Sequence, residues 1–268
     1  MSGPWWAHAA PETAEPLAAA FRRYEYKFPL PECRRREAFD LIAPHVRHDE
    51  HCGPEPGDRY LVRSIYLDTD DLRFYREKVD GVRVRRKLRV RAYDRLSEDS
   101  VVFLEIKRRR GRRTFKERLP VPWGRAMSAV RDGCPGAPVD EDPSARRVLE
   151  SFRFHTCTIG LKPIVLVAYE REAFVDPMRP RVRVTLDDGL RSLWAPSLDQ
   201  LGEQRGLQRF ARDLWILEFK FDDRMPHWMA QVMSRLELCR EPYSKFCHGI
   251  DACAPRRVLQ AALGRREV

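Results

Sequence analysis

Long apolar runs are missing from this 268-residue chain. The longest, IVLVAY at 164–169, falls far short of the ~20 residues that a membrane-spanning helix requires, so no transmembrane segment is expected. Paired cysteines are missing too. The seven present are an odd number without a CxxC motif, a pattern of reduced thiols and not of a disulfide framework. Nor does the chain open on a basic segment followed by an apolar one, as a secretory leader would. Together these absences predict a cytoplasmic protein. Residues 1–20 are Pro-rich, lack any sustained hydrophobic period and read as a poorly ordered arm in which Trp5 and Trp6 are the only docking candidates. No internal repeat or linker divides the rest, and residues 21–268 are expected to form one domain.

Positive charge is abundant. Fifty Lys and Arg against forty Asp and Glu leave a formal charge of +10, a balance that favours phosphate-rich partners or anionic surfaces without choosing between them. Hydrophobic residues at 43% supply a core and exclude global disorder. His45, His48, His51 and Cys52 have a spacing that invites comparison with a metal cluster, yet they lie beside a Gly/Pro-rich loop and no second ligand half matches them.

Eight strand-like runs stand out, near 21–28, 60–67, 82–93, 101–109, 112–121, 164–174, 181–187 and 214–221, a number that suits a small closed barrel. Helical patterns fall near 31–43, 70–77, 124–131, 143–153, 224–237 and 255–264, and Pro/Gly-rich stretches at 52–57, 133–138 and 195–206 read as loops. The expected fold class is α+β: a closed antiparallel β-barrel tunnel of about eight strands with flanking helices.

Side chains two apart on a strand share a face. In 82–92 this sorts Arg83, Arg85, Lys87, Arg89 and Arg91 onto one side and Val82, Val84, Leu88 and Val90 onto the other. The same construction recurs in five more strands, with Glu25 and Lys27, Glu105 and Lys107, Lys116 and Arg118, Arg181 and Arg183, and Glu218 and Lys220 as in-phase pairs. One such pair is ordinary surface decoration. Six strands sharing the pattern set a constraint, because helices must pack on the apolar faces and the charged faces then point inward. A lumen of cations is too costly to desolvate without partners. A polyanion supplies those partners, and the few carboxylates are natural oxygen ligands for Mg²⁺ or Mn²⁺.

With these faces in view, the chain resembles the VTC domain, the polyphosphate polymerase catalytic domain of the triphosphate tunnel metalloenzyme superfamily. The resemblance covers about 21–250 and is carried by nine pieces in the family's order: YEYKFPL, SIYLDTDDLRFY, KLRVRAYD, VFLEIKR, FKERLPV, PIVLVAYEREAF, RVRVTLDDGL, ILEFK and YSKFCHG. It implies that Lys27, Arg89, Arg91, Lys107, Lys116, Arg171, Arg183 and Lys245 hold the phosphates of ATP and of a growing chain, with Lys220 and Arg181 in a secondary role. It also implies that Glu218 binds a divalent metal, Mn²⁺ or Mg²⁺, helped by Glu105 and Glu25. Without it, Arg171 would read as a surface arginine and Lys245 as a solvated loop lysine.

Relatives that hydrolyse triphosphate or cyclise nucleotides open with Glu-x-Glu-x-Lys, whereas Arg23 takes the first glutamate position here. A lumen poorer in acids suits a long phosphate chain, so the resemblance implies a polymerase that transfers the γ-phosphate of ATP to polyphosphate, using pyrophosphate or triphosphate as shorter acceptors. The competing readings are an inorganic or nucleoside triphosphatase and an inert polyanion-binding module. Sequence-specific nucleic-acid binding is disfavoured, because the aromatics alternate away from the cations or lie in helices. The chain has no room for a separate phosphate-sensing domain, and any membrane coupling is expected to need another protein. Tyr66, Tyr93 and Tyr169 are further candidates for phosphate contacts, although strand packing explains each of them as well.

Overall fold

A computed structural model describes residues 23–53, 57–94, 96, 97, 99–111, 113–131 and 143–264. The expected arm at 1–20, the whole of the 133–138 loop and part of the 52–57 loop lie outside them. Ten strands form one antiparallel sheet: β1 (Arg23–Pro31), β2 (Arg47–His48), β3 (Tyr60–Asp68), β4 (Val84–Tyr93), β5 (Val101–Arg110), β6 (Arg113–Pro122), β7 (Lys162–Asp176), β8 (Arg179–Trp194), β9 (Gln208–Arg209) and β10 (Leu214–Asp222). The eight long strands run in the order β1-β10-β8-β7-β3-β4-β5-β6, and the two-residue β2 and β9 attach to β7 and β8. The helices are α1 (Arg35–Ile42), α2 (Arg73–Val79), α3 (Trp123–Arg131), α4 (Pro143–Arg153), α5 (His227–Arg235), α6 (Lys245–Cys253) and α7 (Arg256–Ala262). No helix among the described residues is long and apolar enough to cross a membrane.

The period-2 pattern sorts as anticipated. On β1, β8 and β10 the outer positions Phe28, Leu30, Val184, Leu217 and Phe219 are buried with Ala38 and Ile42 of α1 and Met229 and Val232 of α5. Leu88, Val90, Leu104 and Ile106 of β4 and β5 join Val148, Leu149 and Phe152 of α4 in a second, larger core. Burying these apolar stripes is what places the helices on the convex side. Arg86, one position out of phase with Lys87, accordingly faces α4 and meets His155 at 3.2 Å.

The expected closure does not occur by strand pairing: the order ends at β1 and β6, which share no ladder. Proline explains why. β1 carries Pro29 and Pro31, and β6 carries Pro120 and Pro122. Proline has no N–H to donate, so these two edges cannot zip together. A loop partly covers the β1 edge instead, with the Glu241 N–H donating to the Lys27 carbonyl at 3.4 Å. A side-chain bridge spans the gap: Lys107 Nζ of β5 lies 2.7 Å from Glu25 Oε2 of β1. The sheet is therefore a curled, open half-barrel whose ends meet through charge.

Sequence patterning missed α6. Ser244 caps it, its Oγ accepting from the Cys247 N–H at 3.3 Å. This helix lies on the concave side. A Cβ at Gly249 would stand 2.8 Å from Val167 Cγ2 and 3.6 Å from Val165 Cγ2. Register puts Val165 and Val167 in phase with Arg171 and opposite Tyr66 and Ser64. Only glycine lets the helix approach this closely. We expect Gly249→Val to destabilise the fold by about 1–3 kcal/mol through overpacking, read as a lowered thermal midpoint; an unchanged midpoint would show that α6 is not seated there.

Candidate anion-binding site

Cross-strand register gathers the charges of the concave face. Tyr66, Arg89, Glu105 and Arg118 form one row across β3, β4, β5 and β6. Glu105 is the hub of this half. Its carboxylate accepts from Arg89 Nε at 2.5 Å, with Lys116 at 3.5 Å, Arg118 at 3.6 Å and Arg91 at 3.9 Å. Burial alone would raise the pKa of Glu105, but these four cations outweigh it and hold the carboxyl well below the usual range. The Tyr66 hydroxyl receives Arg89 at 2.9 Å and Ser64 Oγ receives Arg91 at 3.2 Å, so both guanidiniums are held in place.

A second hub lies across the lumen on β7, β8 and β10. Asp187, fully buried, accepts from Arg171 Nε at 2.6 Å and Nη2 at 2.8 Å, and from Lys245 Nζ at 2.6 Å. Burial opposes its ionisation, yet Arg171 and Lys245 bring its pKa down to about 2. Glu218 is as deeply placed but held more loosely, with Lys220 at 3.4 Å, Thr185 Oγ1 at 3.5 Å, Lys27 at 3.7 Å and Arg171 at 3.8 Å. Glu25 pairs with Lys107 and titrates at about 2, because Lys107, Lys27 and Lys220 overcome the opposing effects of burial and of Glu218.

Among these named groups ten cations, Lys27, Lys87, Arg89, Arg91, Lys107, Lys116, Arg118, Arg171, Lys220 and Lys245, stand against four carboxylates. Lys87, Lys107 and Lys116 sit directly opposite one another on adjacent strands, an arrangement that repels unless an anion joins it. The lumen is hydrated and not packed: Lys27, Lys107 and Lys116 keep 25%, 41% and 45% of their side-chain surface open. Burial nevertheless pushes Lys87 and Lys220 down to about 8, and it also lowers Lys116 and Lys245.

The residues anticipated from sequence separate into two groups. Lys27, Arg89, Arg91, Lys107, Lys116, Arg171, Lys220, Lys245, Glu25, Glu105 and Glu218 come together. Arg183 lies at the rim, 44% exposed and 3.2 Å from Asp49, and Arg181 is more exposed still and paired with Asp222. Asp187 escaped the sequence reading although it is in phase with Arg183 and Thr185 in RVRVTLD; the alternation rule alone could have found it. Lys87 and Arg118 were noticed on their strands without being assigned a role. Tyr66 and Tyr93 receive Arg89 and Arg118 respectively, the latter at 3.3 Å, while Tyr169 lies beneath Arg171 and Lys245. His45 stacks on Trp228, and His48 bonds Glu172.

Among the described residues no set of three or more His, Cys, Asp and Glu side chains is arranged to hold a metal ion by itself. Magnesium and manganese commonly bind through one or two carboxylates together with substrate phosphates, and Glu218 fits that donor set. Its protein contacts of 3.4–3.8 Å are long, which leaves its oxygens accessible to a cation. Glu105 Oε2 is taken by short contacts with Arg89, whereas its Oε1 has no hydrogen-bond partner among the described residues and lies 3.5 Å from Lys116 and 3.6 Å from Arg118.

The family model described as "VTC domain" matches residues 22–254. Subunit 4 of the vacuolar transporter chaperone complex of Schizosaccharomyces pombe is 27% identical, the match covering 74% of this chain and 32% of that protein. The chain thus spans about a third of that relative's length. Among solved structures, a candidate adenylate cyclase of Bacillus halodurans aligns with a TM-score of 0.47 at 16% identity, over 82% of this chain and 92% of its own. A Hippeastrum protein described as having a dominant triphosphatase activity aligns with a TM-score of 0.49 at 14% identity, over 87% and 97%.

The depressed lysines give the site a pH dependence whose sign is set. Above pH 8 Lys87 and Lys220 lose their positive charge in the empty lumen. Tyr66 and Tyr93 become anionic over the same range, their pKa values brought down to about 8 because nearby arginines outweigh burial. Anion affinity must therefore fall as pH rises, by up to about tenfold per pH unit for each group that titrates. Calorimetric titration with trimetaphosphate, whose own charge is constant here, should show weaker binding at pH 9.5 than at pH 7.5, and Lys220→Arg should flatten the decline. Affinity independent of pH would contradict this electrostatic account.

Proposed function

Because the chain belongs to the VTC domain family, we propose that it is a polyphosphate polymerase, which transfers the γ-phosphate of ATP to the end of an inorganic phosphate chain. The observation that carries this reading is the excess of cations over carboxylates in an open lumen, above all the Lys87, Lys107 and Lys116 row. Glu25 reaches Lys107 and Glu105 reaches Lys116, while Lys87 meets the Ser244 hydroxyl; these groups neutralise the row in part, and a linear polyanion would complete it. The scarcity of acids favours transfer to a chain over transfer to water, as Arg23 at the first strand position already suggested.

In this mechanism the acceptor's terminal phosphate oxygen, already an anion, forms a bond to the γ-phosphorus of ATP while the bond to the β–γ bridging oxygen breaks and ADP leaves. A protein nucleophile is unnecessary. Catalysis comes from holding two polyanions in line and spreading their charge over fixed donors. Lys27, Lys107 and Lys245 seat the acceptor, while Arg89, Arg91, Lys116 and Arg171 bind nucleotide phosphates, with Lys220, Arg183 and Arg181 in supporting positions. Glu105 and Asp187 position the guanidiniums that do this. A divalent ion held by Glu218 with Glu25 nearby would supply further neutralisation of phosphate oxygens, Mn²⁺ or Mg²⁺ being the natural choices.

Purified protein given ATP and Mn²⁺ or Mg²⁺ should release ADP and accumulate acid-labile polymer, and pyrophosphate or tripolyphosphate should shorten any lag by acting as primer. If free phosphate equals ADP throughout and no polymer forms with either metal, the enzyme is a triphosphatase; if ATP is not consumed at all, it is a polyanion-binding module. Glu218→Gln keeps the shape and removes the charge, and turnover should fall by about 100-fold or more while the thermal midpoint stays near that of the wild type. Wild-type turnover in this variant would mean that the metal is held elsewhere.

A further inference from the structure

The cationic face does not stop at the lysine row. Two residues further along β4 and β5, Arg85 stands directly opposite Arg109, in phase with Lys87 and Lys107. Successive positions on one face of a strand are about 7 Å apart, so the two rows form a ladder leading toward the β5–β6 turn. Arg109 donates to the Gly111 carbonyl at 2.9 Å, which turns its guanidinium toward that tip. Lys78, at the end of α2, lies close enough for its charge to act on the same group, and burial followed by Arg109 repulsion lowers Arg85. Among the described residues the ion pairs give none of Lys78, Arg85 or Arg109 a carboxylate partner; Glu77, the acid that acts on Arg85, is paired with Arg73 at 3.4 Å.

The first turn of α6 links this outer group to the inner site. Lys87 Nζ donates to Ser244 Oγ at 2.8 Å, while the adjacent Lys245 reaches Asp187. One helix N-terminus therefore touches both the lysine row and the inner hub. Like-charged residues placed opposite one another on strands weaken the sheet, and here two consecutive rows do so, the inner one met by Glu25 and Glu105 and the outer one by no carboxylate ion pair among the described residues.

We propose that Arg85, Arg109 and Lys78 form a distal subsite for a long phosphate chain, engaging phosphates beyond those held in the lumen and making affinity depend on chain length. This rests on the polyphosphate reading above and goes further by assigning the side on which the chain leaves. A short anion fills the lumen and never reaches these residues. A long one extends past Lys87 and gains two or three further charge-assisted contacts, so its binding is tighter and more sensitive to salt.

The test is calorimetric titration of wild type and of the double variant Arg85→Gln/Arg109→Gln with tripolyphosphate and with a polyphosphate of about 15 phosphates, the longer ligand spanning both rows at strand spacing. In wild type the longer chain should bind more tightly. The double variant should bind tripolyphosphate within about twofold of wild type and lose about tenfold or more for the long chain, the equivalent of one or two charge-assisted contacts, and Arg85→Lys/Arg109→Lys should restore most of it. Equal losses for both ligands, or no loss for the long chain, would overturn the distal subsite while leaving the lumen site intact. If wild type binds neither ligand, the polyphosphate reading itself falls and the subsite with it.

Discussion

Repulsion among buried cations is the constraint on which the rest of this structure depends. Ten Lys and Arg side chains share one concave face, and a sheet carrying them could not curl if they were alone. Two carboxylate hubs make it possible. Glu105 gathers four cations from β4 and β6, and Asp187 with Glu218 gathers those of β1, β7, β10 and α6. These acids are too few to neutralise the lumen, only enough to fix the geometry of the groups that remain charged. The remaining excess of positive charge, chiefly along the lysine row, is the feature that a phosphate chain would complete.

The same electrostatics account for the shape. A closed eight-stranded barrel holds its own side chains or one small ligand, whereas the proposed phosphate chain would need room among long lysines and arginines. Prolines at the C-terminal ends of both edge strands leave no N–H there for a backbone seam, and the Glu25–Lys107 pair links β1 to β5 across the gap. Concave-side helix α6 completes the site from within. It delivers Lys245 to Asp187 and Ser244 to Lys87, and its Gly249 gives the clearance that brings both into range.

The chain belongs to the VTC domain family and matches about a third of the length of a larger S. pombe subunit. What the lumen itself contributes is a set of donors suited to phosphate oxygens. Discrimination among anions would then rest on charge and length, and the position of Arg85, Arg109 and Lys78 beyond the lysine row makes length the more informative variable.

How much of this was legible beforehand follows from the range of the interactions involved. Alternation with period 2 is a local property, so it alone determined which faces of β1, β4, β5, β6, β8 and β10 are charged, placed Arg89 and Arg91 inward, and put Arg86 outward. The need to bury the apolar faces then settled on which side the helices pack. Asp187 was legible by the same rule and was overlooked. Other features were not local. Ser244 and Lys245 sit in a segment whose central glycine weakens any helical pattern, and Gly249 is explained only by Val165 and Val167, some eighty residues earlier in the chain. Open edges required knowing that β1 and β6 are the terminal strands, which leaves the prolines of each on an edge without a ladder partner among the described residues. Which carboxylate holds which cation was likewise decided only in three dimensions: Glu105 and Glu218 occupy the same Glu-x-Lys triplet, yet curvature surrounds Glu105 with short arginine contacts and leaves Glu218 with partners at 3.4–3.8 Å.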